Sequence, residues 1–431
     1  MSAAPEAGIL ATVDQDAVEE RALALVRSAP MQEQIERTRR RYASDPLATV
    51  AGGRDTLEKA VHELAWAAML VAVNTEPTHP RIAWVYAAPR SWRGRAVPGS
   101  RWGIDNPDNV YRIAPVDGRS RYEVRCHGAG PVQFSFLTYS HFVGEEGHQK
   151  DVDAPLGGLR SDEIRRASDG SFVLTLDPEP AAGRPNHIQT APDIKQLLIR
   201  NTMGDWVSER PLAMTIERVG GPPADPPATD AVLARRCAAF LEALTSLSLN
   251  WKKQSLFGHW RDNVLCAPYG RGRQWGFAAS GNFNLAEDEA LLVTVDPLEA
   301  RYLGFCLTDL WLASLDHVDR QGSLNGQQAQ PNADGTYTYV IAARDPGFDN
   351  WLDTGGLRQG SMLYRWQVLP PSRTSAEGAV REVRCVKLGE LRHELPAGAH
   401  FMTTKERADA LRRRAREYEL RYTTVTPETH A

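Results

Sequence analysis

Two segments concentrate side chains able to move protons. Asp309 to Asn325 carries Asp309, Asp316, His317, Asp319, Arg320 and Asn325 directly after the apolar run Tyr302 to Leu307. An imidazole beside a carboxylate, as in Asp316-His317, can be held in one tautomer and act as a general base near neutral pH. Arg344-Asp345, Asp353 and Arg358 belong to a second long loop. If both loops lie at one end of a β-domain, His317, Asp316, Arg320, Asp345 and Asp353 form a catalytic set. A polar loop tying two strands together is the alternative.

Ligand recognition has a different set of candidates. Asp105-Asn106-Pro107-Asp108-Asn109 places two carboxylates and two amides within five residues. Such oxygens suit a polar substrate or a hard cation, whereas Asx turns would spend them on backbone donors at a strand entrance. Trp102, Tyr111 and Arg112 flank the segment, and aromatic rings with a planar guanidinium suit a ligand edge. Trp102, Asp105, Asn109, Tyr111 and Arg112 are therefore ligand-binding candidates, with Asn325, Trp351 and Arg358 downstream. His141 and His148, among Glu145, Glu146, Asp151 and Asp153, are the side chains a divalent metal would use. Their spacing matches no rigid ligand template, and a solvated polar loop explains them equally. Trp311, Trp351 and Trp366 read as core, with stacking on a sugar or apolar ligand as the alternative. Gly270-Arg271-Gly272-Arg273 reads as a surface turn, and Arg412-Arg413-Arg414 as a solvated helix face.

The elements that must position these residues follow from periodicity. Asp16 to Ser44 is helix-prone and interrupted at Pro30. Leu57, Val61, Leu64, Ala68 and Val71 recur at helical spacing, which predicts a helix over Arg54 to Val73 with Asp55 and Glu58 as a capping box. From Arg81 to Val219 the pattern changes to short alternating runs such as Val110 to Ala114, Tyr122 to Cys126 and Val132 to Tyr139. Gly220 to Pro227 breaks both regular patterns, and Thr229 to Leu249 is again helical. A second strand-rich block runs from about Leu291 to Lys387, and Thr403-x-x-Glu406 opens a final helix with a capping box.

The two strand-rich blocks align. Asp169-Gly170-Ser171-Phe172, Asn186 and Leu197-Leu198-Ile199-Arg200 reappear as Asp334-Gly335-Thr336-Tyr337, Asn350 and Met362-Leu363-Tyr364-Arg365. The offset is 165 at the first Asp and again at the Arg, and 164 at the Asn. Upstream, Arg121-Tyr122 is matched to Arg301-Tyr302. The expected fold is mainly β with flanking helices (α+β), built from two tandem antiparallel β-sandwich or jelly-roll-like domains. The segments are a helical part over 1–78, a first β-domain over 79–219, a linker and helix over 220–260, a second β-domain over 261–395 and a helix with tail over 396–431.

Composition excludes several classes. The 431 residues carry 50 basic and 54 acidic side chains, a net charge of -4 that does not suit a binder relying on phosphate neutralisation. Five cysteines without a CxxC pair indicate neither a disulfide framework nor a zinc knuckle. Phosphate-loop, zincin, nucleophile-elbow and dinucleotide fingerprints are absent, so no cofactor is expected. The apolar stretch Ala65 to Val73 is too short to span a bilayer, and Met1 to Glu20 lacks a secretory pattern, so a cytoplasmic location is expected.

Ala300-Arg301-Tyr302, Ser314-Leu315-Asp316-His317, Ser323-Leu324-Asn325, Asp345-Pro346-Gly347 and Asn350-Trp351-Leu352-Asp353-Thr354 resemble the bacterial family catalogued as domain of unknown function 1214. Asp105 to Tyr111 resembles the N-terminal part of proteins carrying that domain. The resemblance implies a β-rich fold in a bacterial protein and supplies no reaction or catalytic residue. The residues themselves favour an enzyme acting on a small organic molecule by acid–base chemistry in a β-domain pocket. A non-catalytic protein binding an apolar or sugar-like molecule and an assembly protein are the alternatives. The expected partner is a small molecule rather than nucleic acid or a membrane, with self-association left open.

Overall fold

Short strands, the central ones buried on both faces, build four sheets that pack in pairs, as a computed structural model describing residues 9–92, 94–145, 155–224, 226–251, 261–272 and 275–422 makes visible. In the first block, sheet I has the order β1 (Ala83–Tyr86), β4 (Asn109–Pro115), β10 (Gln196–Thr202), β6 (Gln133–Tyr139) and β7 (Gly157–Arg160). Sheet II has the order β11 (Ala213–Gly220), β5 (Arg121–His127), β8 (Phe172–Asp177) and β9 (His187–Gln189). Phe134, Phe136, Leu197 and Ile199 of sheet I meet Val124, Leu174 and Leu176 of sheet II in a dry core. The hairpin β2 (Arg90–Trp92) and β3 (Arg95–Val97) stands apart from both sheets.

In the second block, sheet III has the order β12 (Val264–Leu265), β14 (Phe277–Asn284), β20 (Gln359–Gln367), β16 (Tyr302–Thr308) and β17 (Ser323–Asn325), with β13 (Tyr269–Gly270) also on β14. Sheet IV has the order β19 (Trp351–Asp353), β18 (Tyr337–Ala342), β15 (Glu289–Val295) and β21 (Val380–Lys387). Leu291, Val293, Ile341, Phe305, Tyr364 and Trp366 fill the space between them. Trp311, Trp351 and Trp366 are all buried, the core use that the sequence favours.

Strand order is the same in both blocks. The path β4-β10-β6-β7 matches β14-β20-β16-β17, and β11-β5-β8-β9 matches β21-β15-β18-β19. The edge pairs β8 with β9 and β18 with β19 are both parallel, within otherwise antiparallel sheets. Local chemistry repeats as well. Asp169 Oδ1 accepts from Ser171 N at 2.9 Å and Oγ at 2.6 Å, and Asp334 Oδ1 accepts from Thr336 N at 2.9 Å and Oγ1 at 2.6 Å. Asn186 trades hydrogen bonds with the Arg165 backbone, as Asn350 does with that of Gln330. One sequence match does not hold. Tyr122 lies in β5 of sheet II, whereas Tyr302 opens β16 of sheet III, so Arg121-Tyr122 and Arg301-Tyr302 are not equivalent.

Helices cover the outer face of sheet I. α1 (Val13–Leu25), α2 (Ala29–Ala43), α3 (Gly53–Ala72) and α4 (Asp230–Trp251) bury Val18, Leu57, Val61, Leu64, Phe240, Leu241 and Leu244 against Val110, Ile113, Leu137 and Leu198. α3 begins at Gly53 rather than at the expected capping box. Gly52, at φ +85°, caps it without a side chain, and Glu58 pairs with Arg39 instead. After the short α5 (Leu391–Glu394) comes α6 (Thr404–Glu419), which starts with the expected capping box of Thr403 and Glu406. Arg407, Arg414 and Arg421 recur every seventh residue and turn inward, so the Arg412-Arg413-Arg414 run is not wholly solvated. Arg407 donates to Phe348 O at 2.6 Å and Arg414 to His317 O at 2.7 Å, both in the second block. Arg421 donates to Pro107 O of the first block at 2.6 Å. Among the described residues no helix is long and apolar enough to cross a membrane.

Candidate functional site

The outer faces of sheets I and III, together with residues 102–109 and the end of α4, enclose a cavity of about 320 Å³. Pairing register fixes which side chains face it. Across sheet I, Tyr86, Tyr111 and Arg200 form one row of neighbours. Across sheet III, the row is Tyr269, Ala278 and Arg365. Successive side chains in a strand alternate faces, so Leu198 and Leu363, two residues before each arginine, point the same way. All of these except Ala278 line the cavity, joined by Arg271, Trp102, Trp251 and Trp275.

Three guanidinium groups therefore share one hollow. Arg200 lies 3.8 Å above the centroid of the Trp275 ring and 5.5 Å from that of Tyr111. That stacking fixes the guanidinium plane and leaves its edge for a ligand. Arg365 is oriented by Ile104 O at 2.8 Å and Cys306 Sγ at 2.9 Å. Burial, followed by the charges of Arg365 and Arg200, pulls the pKa of Arg271 down. Among the described residues none of the three has a carboxylate partner. Among the described residues, six buried polar atoms around the cavity have no hydrogen-bond partner: Tyr86 Oη, Trp102 Nε1, Asn109 Oδ1, Gln196 Nε2, Arg200 Nε and Gln367 Oε1. Leaving such groups unpaired costs about 1–3 kcal/mol each, a cost that a polar ligand would remove. Trp102 stacks on Trp251 at 5.8 Å, and Tyr86 meets Trp102 and Tyr111 edge-on, so the walls are aromatic.

Asp105 is the carboxylate at this wall, and it faces away from the arginines. Its Oδ1 accepts from Ser314 N at 3.0 Å and its Oδ2 from Ser314 Oγ at 2.7 Å. Burial pushes its pKa up to about 6, against the Ser314 hydrogen bonds and the Arg101 charge. A carboxyl that holds its proton more tightly when folded contributes stability present below its unfolded pKa and lost as pH rises through its folded one. The wild type should therefore lose roughly 2–3 kcal/mol relative to Asp105→Asn as pH climbs from about 4 to above 6. Urea midpoints of both proteins across that range measure it; parallel curves would contradict it.

The sequence candidates divide sharply. Trp102, Asp105, Asn109 and Tyr111 line the cavity. Arg112, next to Tyr111 but on the opposite face of β4, donates to Leu212 O and Asn201 Oδ1 within the first block. Asn325 is used on Asp108 Oδ1 at 2.9 Å. Trp351 packs outside sheet IV beneath Arg407, and Arg358 donates to Leu285 O at 3.1 Å.

The acid–base set of the downstream block is not gathered around the cavity. His317 is buried with Nδ1–H on Leu315 O at 3.0 Å, and burial plus the Arg101 and Arg414 charges hold its pKa well below the usual range. It stays neutral and its ring packs on Tyr418, which leaves it no approach to a substrate in the cavity. Asp316 caps a turn through Val318 N and Asp319 N. Arg320 and Asp353 pair at 2.8 Å, and Asp345 pairs with Arg407 of α6 at 2.9 Å. These loops were expected to be reactive because they are rich in charge; that charge is spent on fastening the loops and α6.

His141 lies at the end of sheet I with Ser140 Oγ 3.0 Å from its Nδ1, and His148 lies outside the described residues. Among the described residues no three His, Cys, Asp or Glu side chains form a metal-binding group. The five cysteines are unpaired. Arg200, Arg271, Arg365, Trp251 and Trp275 were missed as site residues, although the repeat had already matched Arg200 to Arg365.

No family model matches the chain, and no curated protein does. Among solved structures, an uncharacterised protein from Burkholderia cenocepacia is 27% identical, with 85% of this chain and 99% of that chain covered and a TM-score of 0.65. A protein from Vibrio parahaemolyticus is 10% identical over 66% of this chain and 90% of that one, with a TM-score of 0.39. The chain thus shares its mainly β, sandwich-like architecture with an uncharacterised bacterial protein.

Proposed function

We propose that this protein binds a small organic anion with a flat apolar body in the cavity between its two β-blocks. One observation carries the reading: three arginines converge, without carboxylate partners among the described residues, on a hollow walled by aromatic rings. Guanidinium edges suit carboxylate or phosphate oxygens, and the rings suit a planar body. The volume, about 320 Å³, falls at the lower end of ordinary ligand pockets.

The two blocks are, on this reading, tandem jelly-roll-like domains doubled from one module. The shared strand order, the parallel edge pairs and the paired Asp and Asn turns support it. Kinship with the domain of unknown function 1214 stands on its residue motifs alone. Turnover of the bound molecule is a second reading, favoured by Asp105, a carboxyl near pH 6 at the same wall.

Calorimetry with aromatic carboxylates and their neutral amides tests the binding. Anions should bind and amides should not, and Arg200→Ala should weaken binding by about 1.5–3 kcal/mol, the usual worth of a charged hydrogen bond. Equal binding of acid and amide would overturn the reading.

A further inference from the structure

Equivalent positions of the two blocks face each other across the cavity. Arg200 and Arg365 pair at the same place in the central strands β10 and β20, each flanked on the same side by β4 or β14. Leu198 and Leu363 precede them by two residues on the same face, and Tyr86 and Tyr269 end the two rows. The cavity therefore has quasi-equivalent halves, each offering one guanidinium, one leucine and one tyrosine. Resting on the ligand reading above, we infer that the natural ligand carries two separate anionic groups, one on each side of its planar body, one held by Arg200 and the other by Arg365.

Charge supports two groups rather than one. Arg200 and Arg365 project from different sheets, and each is held by one group of its own block and one of the facing block: Arg200 by Tyr111 and Trp275, Arg365 by Cys306 Sγ and Ile104 O. Arg271 feels both charges and adds a third, so a monoanion would leave the hollow strongly positive. Asp105 is directed at Ser314, and the cation that acts on its charge is Arg101 rather than the three cavity arginines. Leu198, Leu363 and the aromatic rings line the same cavity as the arginines, and they suit the flat middle of such a molecule. The matching chemical class is an aromatic or otherwise planar dicarboxylate.

Isothermal titration of the full chain with benzene-1,4-dicarboxylate, naphthalene-2,6-dicarboxylate and the monomethyl ester of each is the test, with phenyl phosphate as a single-group dianion. One of the diacids should bind at least about tenfold tighter than its monoester, because each end gains charge-assisted bonds. Arg200→Gln and, separately, Arg365→Lys should bring that diacid and its monoester within about threefold of each other, by removing one planar fork. Diacids and monoesters of equal affinity in the wild type would overturn the two-group inference while leaving the anion reading intact. So would phenyl phosphate binding as tightly as the better diacid. No binding by any anion would overturn both. The wild-type comparison decides the matter even if an arginine variant fails to fold.

Discussion

Replacing Glu63 by alanine is expected to cost about 3–5 kcal/mol of stability, the usual consequence of stripping one partner from a buried ion pair. Glu63 sits on the buried face of α3 and takes both Arg101 N at 2.9 Å and Arg101 Nε at 2.8 Å on Oε2, with Nη2 on Oε1. Both side chains are almost completely buried, so an abandoned guanidinium would find no water. Arg101 leads directly into Trp102 to Asn109, one wall of the cavity. Gly99 lets the chain pass close above, since a Cβ there would lie 2.7 Å from the Glu63 carboxyl carbon. The variant should therefore lose ligand binding together with stability. Urea denaturation and calorimetry on the same sample check both, and an unchanged midpoint would refute the assignment.

Asp108→Ala should do comparable damage, about 3–5 kcal/mol, by a different route. Asp108 Oδ1 accepts from Trp206 Nε1 at 2.8 Å and Asn325 Nδ2 at 2.9 Å, and Oδ2 from Tyr302 Oη at 2.8 Å. Trp206 belongs to the first block, Tyr302 and Asn325 to the second. Alanine would leave buried donors unsatisfied where the blocks meet. Scanning calorimetry should then resolve two unfolding transitions where the wild type should show one, because each block keeps its own core. A single transition at the wild-type temperature would show that Asp108 does not couple them.

Much of the frame was legible because it depends on local periodicity. The stripe Leu57, Val61, Leu64, Ala68 and Val71 specifies α3, and Thr403 with Glu406 specifies the start of α6. The Asp-Gly and Asn positions specify the repeat, since each makes a contact within a few strands of itself. The segment Asp105 to Tyr111 stands out in the sequence, and its members divide between tasks: Asp105, Asn109 and Tyr111 reach the cavity, while Asp108 joins the blocks. Nothing in the pattern of a lone arginine on a strand separates a ligand-facing residue from a solvated one. Arg200 and Arg365 acquire meaning only when two sheets distant in sequence are laid face to face. Gly270 to Gly272 reads as a turn from its composition, and only β13 pairing on β14 brings Arg271 to the arginine cluster. The opposite error came from His317, whose carboxylate neighbour suggested catalysis while its ring was destined for the core.

The arginines at every seventh position along α6 and just past its end have a consequence for biogenesis. Both β-blocks precede α6 in synthesis and can begin folding as they emerge, as separate domains generally do. The bonds from Arg407 and Arg414 to one block and from Arg421 to the other are complete only once translation has passed residue 421. A nascent chain stalled before that point would hold its two blocks together through contacts such as those of Asp108 with Tyr302 and Asn325, without the helical clasp.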